Sequence, residues 1–597
     1  MRRIAAVAAV TLVAIAARAA PTTPADPTAT IPIQMTWDQK IPMRDGVKLS
    51  ATIYRDPAQT KRVPVIVVLT PYIAAHAAKQ GIYFAQHGYV FAAIDLRGRG
   101  NSDGTFVPGQ VEAKDGFDAI EWLAKQPWCD GQVAMWGGSW LGFTQWSVAK
   151  EFPPHLKAIA PSSAVYPGVD YPQPSGIFMS YMLSWLNYVH GRALNQGVLE
   201  SSLMANAEWQ QITTGRSFAE LEDLTGEKGT VFRTWLAHPR EDGFWRAMTP
   251  RPDQYAKLTI PILTIVGHYD DDQKGALTYY DRHMANGAKD VIAKHMLVIG
   301  PWDHSGTRRP KAELGGVSFV SDAVLDMEAL HKAWYDYVLK QGPRPEFLKD
   351  RVACFVMGRN AWIYASDLKH LEGAATKLEL DVSGAVAGDV TRSGRLQAAA
   401  GSADSIVIKS DPAFLPPRDE VGPDADYPAF LKDQRSTYRD SGQVVLNTAP
   451  FIAETVFAGR PRLHLQVAVD QPDADINVEL DEVLPDGSAI LLTTSSIRLR
   501  YRKGGIDASP MTPGKSELVE IPPLGFFARA IAKGSRLRLV IDATPRIGWQ
   551  RNSNTGGDLA IEKASAGRVA KVTITTGPGS GSVLELPRPD DTVLTAK

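Results

Sequence analysis

Cysteine is almost absent: Cys129 and Cys354 are the only two in 597 residues, which excludes a disulfide scaffold. They lie so far apart in the chain that a pair and two buried free thiols both stay open. Net charge is missing too. With 64 Lys plus Arg against 65 Asp plus Glu, no excess positive charge remains to release counterions from a phosphate backbone, so nucleic acid is not an expected partner. Beyond the first twenty residues no run approaches 18 uninterrupted apolar residues, which excludes a polytopic membrane protein and stable membrane insertion. Low hydrophobicity and a glycine period are also lacking, so neither a disordered nor a collagen-like chain is expected.

What remains is a large globular chain of two to four domains at roughly 100 to 200 residues each. Its 41 prolines and 50 glycines favour sheet-containing architecture over a helical bundle. Residues 1–20 are expected to be a signal peptide: Arg2 and Arg3 precede an apolar run from Ile4 to Ala17, and Ala17-Arg18-Ala19 places small residues where a signal peptidase reads. Export to the periplasm or outside the cell follows as an expectation. The alternative, an N-terminal anchor, is weakened by an alanine-rich, leucine-poor run.

From residue 35 to 165, β-branched runs alternate with helical patterns, the signature of βαβ units. Val63 to Leu69 and Tyr89 to Ile94 are apolar throughout, as buried parallel strands are. Phe117, Ile120 and Leu123 mark a crossover helix between Ala113 and Lys125; a strand at Val133 to Trp136 leads into a helix at Leu141 to Lys150. Ile260 to Val266, Met296 to Ile299 and a helix from Val324 to Leu339 resume the pattern, so residues 257–365 rejoin the same domain. Residues 166–256 read instead as an inserted helical cap. The aromatic stripe from Phe178 to Val189 is expected to be cap core, with pocket lining as the second reading. From 370 to 590 alternation takes over, as in Leu463, Leu465, Val467 and Val469, and a β-sandwich is expected. The Gly, Ser, Asp and Pro-rich stretch from Ala387 to Asp426 reads as loops.

The sharpest chemical signal is Gly137-Gly138-Ser139-Trp140-Leu141-Gly142, a glycine-flanked serine between a strand and a helix. It resembles a nucleophile elbow, although the last glycine stands three residues after the serine instead of two. An elbow serine needs a base and a group to orient that base. Asp270 follows one later strand and His304 the next, giving the order Ser, Asp, His of an α/β-hydrolase, with each group at the carboxyl end of a parallel strand. Asp271, Asp272 and Asp303 are rivals for the acid. His268, Asp270 and Asp272 imitate a metal site, but alternating acidic loop residues are commonly solvated, and no metal is expected. Asp95-Leu96-Arg97-Gly98-Arg99-Gly100 lacks the Gly-Lys-Ser/Thr ending of a phosphate loop and reads as structural.

With these residues stand Thr70-Pro71-Tyr72, Asp95-Leu96-Arg97-Gly98 with Ser102-Asp103-Gly104, Pro127-Trp128-Cys129-Asp130-Gly131, Gly300-Pro301-Trp302 before His304-Ser305, Thr448-Ala449-Pro450 and Arg498 to Arg502. Together they resemble the family of bacterial cocaine esterases, α-amino-acid ester hydrolases and X-Pro dipeptidyl-peptidases. The resemblance implies an α/β fold: an α/β-hydrolase domain with a helical cap, followed by a C-terminal β-sandwich (jelly-roll) domain. It implies a serine hydrolase that cleaves esters or amides of small molecules or short peptides and needs no cofactor. It also implies an oxyanion hole from the Tyr72 hydroxyl and the Trp140 N–H, although tyrosine is the usual residue at the Trp140 position. The α-amino-acid ester hydrolases hold a substrate ammonium with a carboxylate cluster; Ile73, Ala74 and Ala75 follow Tyr72 here, so Glu241 and Asp242 are the candidates, with an exposed acidic turn as the equal alternative. A catalytically silent carbohydrate-binding or scaffold protein is the rival class, and retention of Ser139, Asp270, His304 and Tyr72 argues against it.

Overall fold

The computed structural model describes residues 32–200, 202–225, 229–415 and 442–595; the signal segment expected at 1–20 lies outside the described residues. The catalytic half is built on a ten-stranded sheet. Gln34–Pro42 and Lys48–Arg55 form an antiparallel edge, and Lys48–Arg55 pairs antiparallel with Val90–Asp95. Next come Val63–Thr70, Cys129–Gly138, Leu156–Ser162, Ile262–Tyr269, His295–Asp303 and Val352–Val356, all parallel, with Ala361–Ala365 antiparallel at the far edge.

The apolar run of Val63–Thr70 serves both faces of this sheet. Val65, Val67 and Leu69 pack with Ile120, Leu123 and Phe143 of the helices Glu112–Ala124 and Trp140–Ala149. Ile66 and Val68, pointing the other way, pack with Phe84, Leu330 and Trp334 of the helices Ala78–Gln86 and Met327–Lys340. The latter begins where Asp326 accepts the Ala329 N–H at 2.9 Å and ends on Gln341 at φ 55°, which shifts the expected 324–339 helix by a few residues.

Between Ser162 and Ile262 the chain leaves the sheet to build the cap, whose main helices are Tyr181–Tyr188, Leu203–Thr213 and Thr230–Leu236. Phe178 is not helical, because its carbonyl accepts the Gln550 N–H at 2.8 Å and Met179 bridges to Trp549. The C-terminal half carries an eleven-stranded sheet from Ala374–Asp381 to Val583–Arg588 that encloses one apolar core. In Arg462–Val469 the alternate residues Leu463, Leu465, Val467 and Val469 are fully buried. The loops expected from Ala387 to Asp426 need correction in two places, while 416–426 lie outside the described residues. Gly394–Gln397 pairs with Ala374–Asp381, and Asp404–Ser410 pairs with Ala570–Thr576, burying Ile406 and Ile408 behind an exposed Val407. Their alternation is too short to stand out among the glycines and serines around it. Cys129 and Cys354 are both free and buried. Among the described residues no helix is long and apolar enough to cross a membrane.

The sandwich grips both the sheet and the cap. Gln273 donates to the Phe526 carbonyl at 2.8 Å and accepts the Phe526 N–H at 2.6 Å, and the Tyr269 hydroxyl donates to the Leu491 carbonyl at 3.0 Å. Arg498 is 2% exposed; it pairs with Asp475 at 2.9 Å, donates to Gln550 and reaches the Gly176 carbonyl of the cap region at 3.0 Å. Arg498→Met leaves Asp475 without its cation and is expected to cost about 3–5 kcal/mol, measured as a lower urea midpoint at unchanged slope.

Candidate active site

Each candidate catalytic residue follows a strand of the parallel sheet. Ser139 ends Cys129–Gly138 and opens the helix Trp140–Ala149 at φ 64°, ψ −129°, a conformation that side chains other than glycine's rarely adopt. The turn holds because the Ser139 N–H donates to the Ser162 carbonyl at 2.9 Å and its own carbonyl accepts the Gly142 N–H at 2.8 Å. Gly137, at φ 136°, has no room for a side chain, since a Cβ there would lie 2.6 Å from that of Leu141. The displaced glycine of the sequence motif has a separate reason: a Cβ on Gly142 would meet that of Ala164 at 2.8 Å.

Asp270 follows Ile262–Tyr269, and His304 follows the neighbouring His295–Asp303. His304 Nδ1 is 2.9 Å from Asp270 Oδ1, whose side chain is wholly buried while that of His304 is about one quarter exposed. Burial alone would push Asp270 up, but the hydrogen bond and charge of His304 hold it below the ordinary carboxylate range. Asp272, one of the rivals for the acid, lies farther from the ring, with Oδ2 at 3.4 Å from Nδ1. Burial together with the charges of Asp170 and Asp270 pushes Asp272 well up. Asp303 turns away and accepts the Gly306 N–H at 2.6 Å.

Donor atoms of Asp270, Asp272 and His304 lie within 4.8 Å of one another, a spacing that a metal ion would also fit. Nδ1 is already committed to Asp270, and His268 is elsewhere. It is buried, hydrogen-bonded to the Phe355 carbonyl at 2.9 Å and pushed by burial down to about 4.

Tyr72 lies just past Val63–Thr70, its N–H donating to Thr70 Oγ1 at 2.9 Å. Its hydroxyl interacts with Ser139, and burial pushes it up to about 12, so the phenol keeps its proton at any working pH. Trp140 is the first residue of its helix, where a backbone N–H has no acceptor one turn earlier. Its indole donates to Glu112 at 3.3 Å, a buried carboxyl that burial raises to about 7.

Glu241 and Asp242 are not brought into this group. Glu241 makes a two-point ion pair with Arg282 at 2.6 and 2.8 Å. Asp242 caps Gly243–Arg246 through the Phe244 N–H at 2.9 Å and bonds His238 at 2.6 Å. Both carboxylates are engaged in local structure, the alternative the sequence left open for them.

Sequence reasoning passed over three residues near the centre. Asp170 is buried, accepts the Tyr166 N–H at 2.7 Å through Oδ1, turns Oδ2 against Gly275 and is raised by burial to about 8. Arg308 presses its guanidinium against Gly138 and is depressed by burial despite the charges of Asp270 and Asp272. Trp185 donates its indole N–H to the Tyr72 hydroxyl at 2.9 Å. Only the Trp185 position carried a signal, within the aromatic stripe. The Asp95 to Gly100 loop is structural: the buried Arg99 donates to Pro71 at 2.8 Å, to Val189 at 2.5 Å and to Ala193 at 3.0 Å.

A strained serine at an elbow, with a His–Asp pair on neighbouring strand ends, defines the α/β-hydrolase class, and comparison with known proteins makes the family specific. The description "X-Pro dipeptidyl-peptidase (S15 family)" matches residues 45–306, and "X-Pro dipeptidyl-peptidase C-terminal non-catalytic domain" matches 348–585. The cocaine esterase of Rhodococcus sp. (strain MB1 Bresler) is 28% identical over 577 residues, covering 92% of this chain and 97% of that one. An aminopeptidase from a marine sediment Thaumarchaeota archaeon shares the fold at TM-score 0.81 and 22% identity, over 96% of this chain and 99% of its own. An α-amino acid ester hydrolase does so at TM-score 0.78 and 21% identity, over 96% and 100%. The chain belongs to the X-Pro dipeptidyl-peptidase (S15) family and is a serine hydrolase.

Proposed function

We propose that the protein cleaves ester or amide acyl bonds with Ser139 as nucleophile, His304 as base and Asp270 as the group that orients the base. The observation that carries this reading is the buried Asp270–His304 hydrogen bond of 2.9 Å, set at the same edge of the parallel sheet as a serine held at positive φ. Asp270 accepts the Nδ1 proton, which leaves Nε2 of the neutral ring as the base for Ser139. Attack on the carbonyl forms an oxyanion, which the Tyr72 O–H and the Trp140 N–H stabilise; one such donor is typically worth about 10² to 10³ in turnover. His304 then returns its proton to the leaving group, and water repeats the sequence on the acyl-enzyme.

The substrate we infer carries a protonated amine on its acyl side, as an α-aminoacyl ester or short peptide does. Asp272 lies beside the base and feels the charge of Asp170, each carboxyl is raised first by burial, and the charge of Lys274 offsets Asp170 only in part. An incoming ammonium would restore both to the ionised form. The test is a panel of p-nitrophenyl esters, amino-acid esters and X-Pro amides, each free and N-acetylated, with wild type and Asp170→Asn. Asp170→Asn is expected to raise KM for free-amine substrates about 30-fold or more and to leave acetylated ones unchanged. Equal use of free and acetylated substrates by the wild type would refute the amine site and leave the hydrolase standing.

Export is part of the same proposal, supported by the basic start and the apolar run before Ala17-Arg18-Ala19. Deleting residues 2–20 is expected to retain the activity in the cytoplasm.

A further inference from the structure

We infer that Trp185 is a positioning residue for the oxyanion hole: by donating its indole N–H to the Tyr72 hydroxyl, the cap helix Tyr181–Tyr188 obliges Tyr72 to spend its own proton on the reacting carbonyl. The inference rests on the proposed role of Tyr72 and adds to it a part for the cap. An indole N–H can only donate, so across the 2.9 Å contact the phenol oxygen must be the acceptor. With that lone pair engaged, the one phenolic proton is left to point away from the indole, on a hydroxyl that also lies beside Ser139. A hydroxyl that accepts a hydrogen bond is also a stronger donor, more so in a dry site.

The indole itself has little freedom. Trp185 is 4% exposed, with its ring 4.8 Å from that of Trp140 and 5.8 Å from that of Tyr171. Tyr188, one turn along the same helix, stacks on Tyr72 at 5.9 Å between centroids. Arg99 ties the two sides together: it bonds the carbonyl of Pro71, directly before Tyr72, and that of Val189, directly after the helix. Trp185 thus contacts the hydroxyl of one oxyanion donor and the side chain of the residue that supplies the other.

The experiment is a double-mutant cycle with Trp185→Phe and Tyr72→Phe on the full-length enzyme, reading kcat, KM and Tm on one p-nitrophenyl ester. Trp185→Phe keeps an aromatic ring but removes the N–H, and is expected to lower kcat roughly 3- to 10-fold at nearly constant KM. In the Tyr72→Phe background the same change is expected to have no further effect on kcat, because the hydroxyl it acts through is gone. An equal loss in both backgrounds, or no loss in either, overturns the inference and marks Trp185 as cap packing. Should Trp185→Phe fail to fold, 3-benzothienylalanine at 185 keeps the indole shape without the N–H and gives the same comparison. Ser139→Ala run in parallel separates the two levels: activity surviving there sinks the proposed triad and oxyanion hole, whereas its loss with an additive cycle sinks only the role of Trp185.

Discussion

Ser139→Ala is expected to lower kcat for any substrate of this enzyme by about 10⁴- to 10⁶-fold, with KM little changed. The residual rate would come from binding and from the oxyanion donors, which the substitution leaves in place. Stability supplies an independent readout of the elbow. At φ 64°, ψ −129° the residue pays for its Cβ whether it is serine or alanine, so Ser139→Ala should melt close to the wild type. Ser139→Gly removes that Cβ and is expected to stabilise the fold by about 1–2 kcal/mol while being equally inactive. A glycine variant no more stable than the alanine one would mean that the strain is absorbed by the turn and not stored at the serine. Detectable turnover by either variant above about 1% of wild type would remove Ser139 from the mechanism.

The candidate triad was legible as a spatial group because its residues obey local rules. A serine between a strand and a helix, and an acid and a histidine directly after strands, are positions that an α/β sheet gathers at one edge, so strand patterns alone bring Ser139, Asp270 and His304 to the same edge of the sheet, the last two on neighbouring strands. Asp170 obeys no such rule. It follows no strand and matches no motif, and it lies in the first residues of the cap, where only the folded chain lets its charge act on Asp272. Glu241 and Asp242 show the complementary limit: adjacent acidic residues resemble a cluster in sequence, but their partners, an arginine 41 residues on and a local helix cap, are set by the fold. The helix that carries Trp185 was visible as a stripe, yet stripe spacing cannot tell which ring turns inward to pack and which turns its N–H toward another side chain.

Asp270→Asn is the second large effect expected, and Asp272 gives it a pH dependence. An asparagine amide at 270 donates toward Nδ1 as readily as it accepts, which favours the tautomer with its proton on Nε2 and deprives Ser139 of its base; a loss of about 10⁴ in kcat follows near neutral pH. In the wild type Asp272 is pushed up by burial and by the charges of Asp170 and Asp270, so it is a weak acceptor at 3.4 Å from Nδ1. Replacing Asp270 removes one of those charges, and Asp272 then ionises at lower pH than before. An ionised Asp272 can accept the Nδ1–H, so residual kcat of Asp270→Asn should climb with rising pH more steeply than that of the wild type. The climb should vanish in Asp270→Asn/Asp272→Asn. If instead Asp272→Asn alone costs as much as Asp270→Asn, the two carboxylates share the orienting role, and the shorter 2.9 Å contact of Asp270 is only the resting arrangement of a ring that both of them hold.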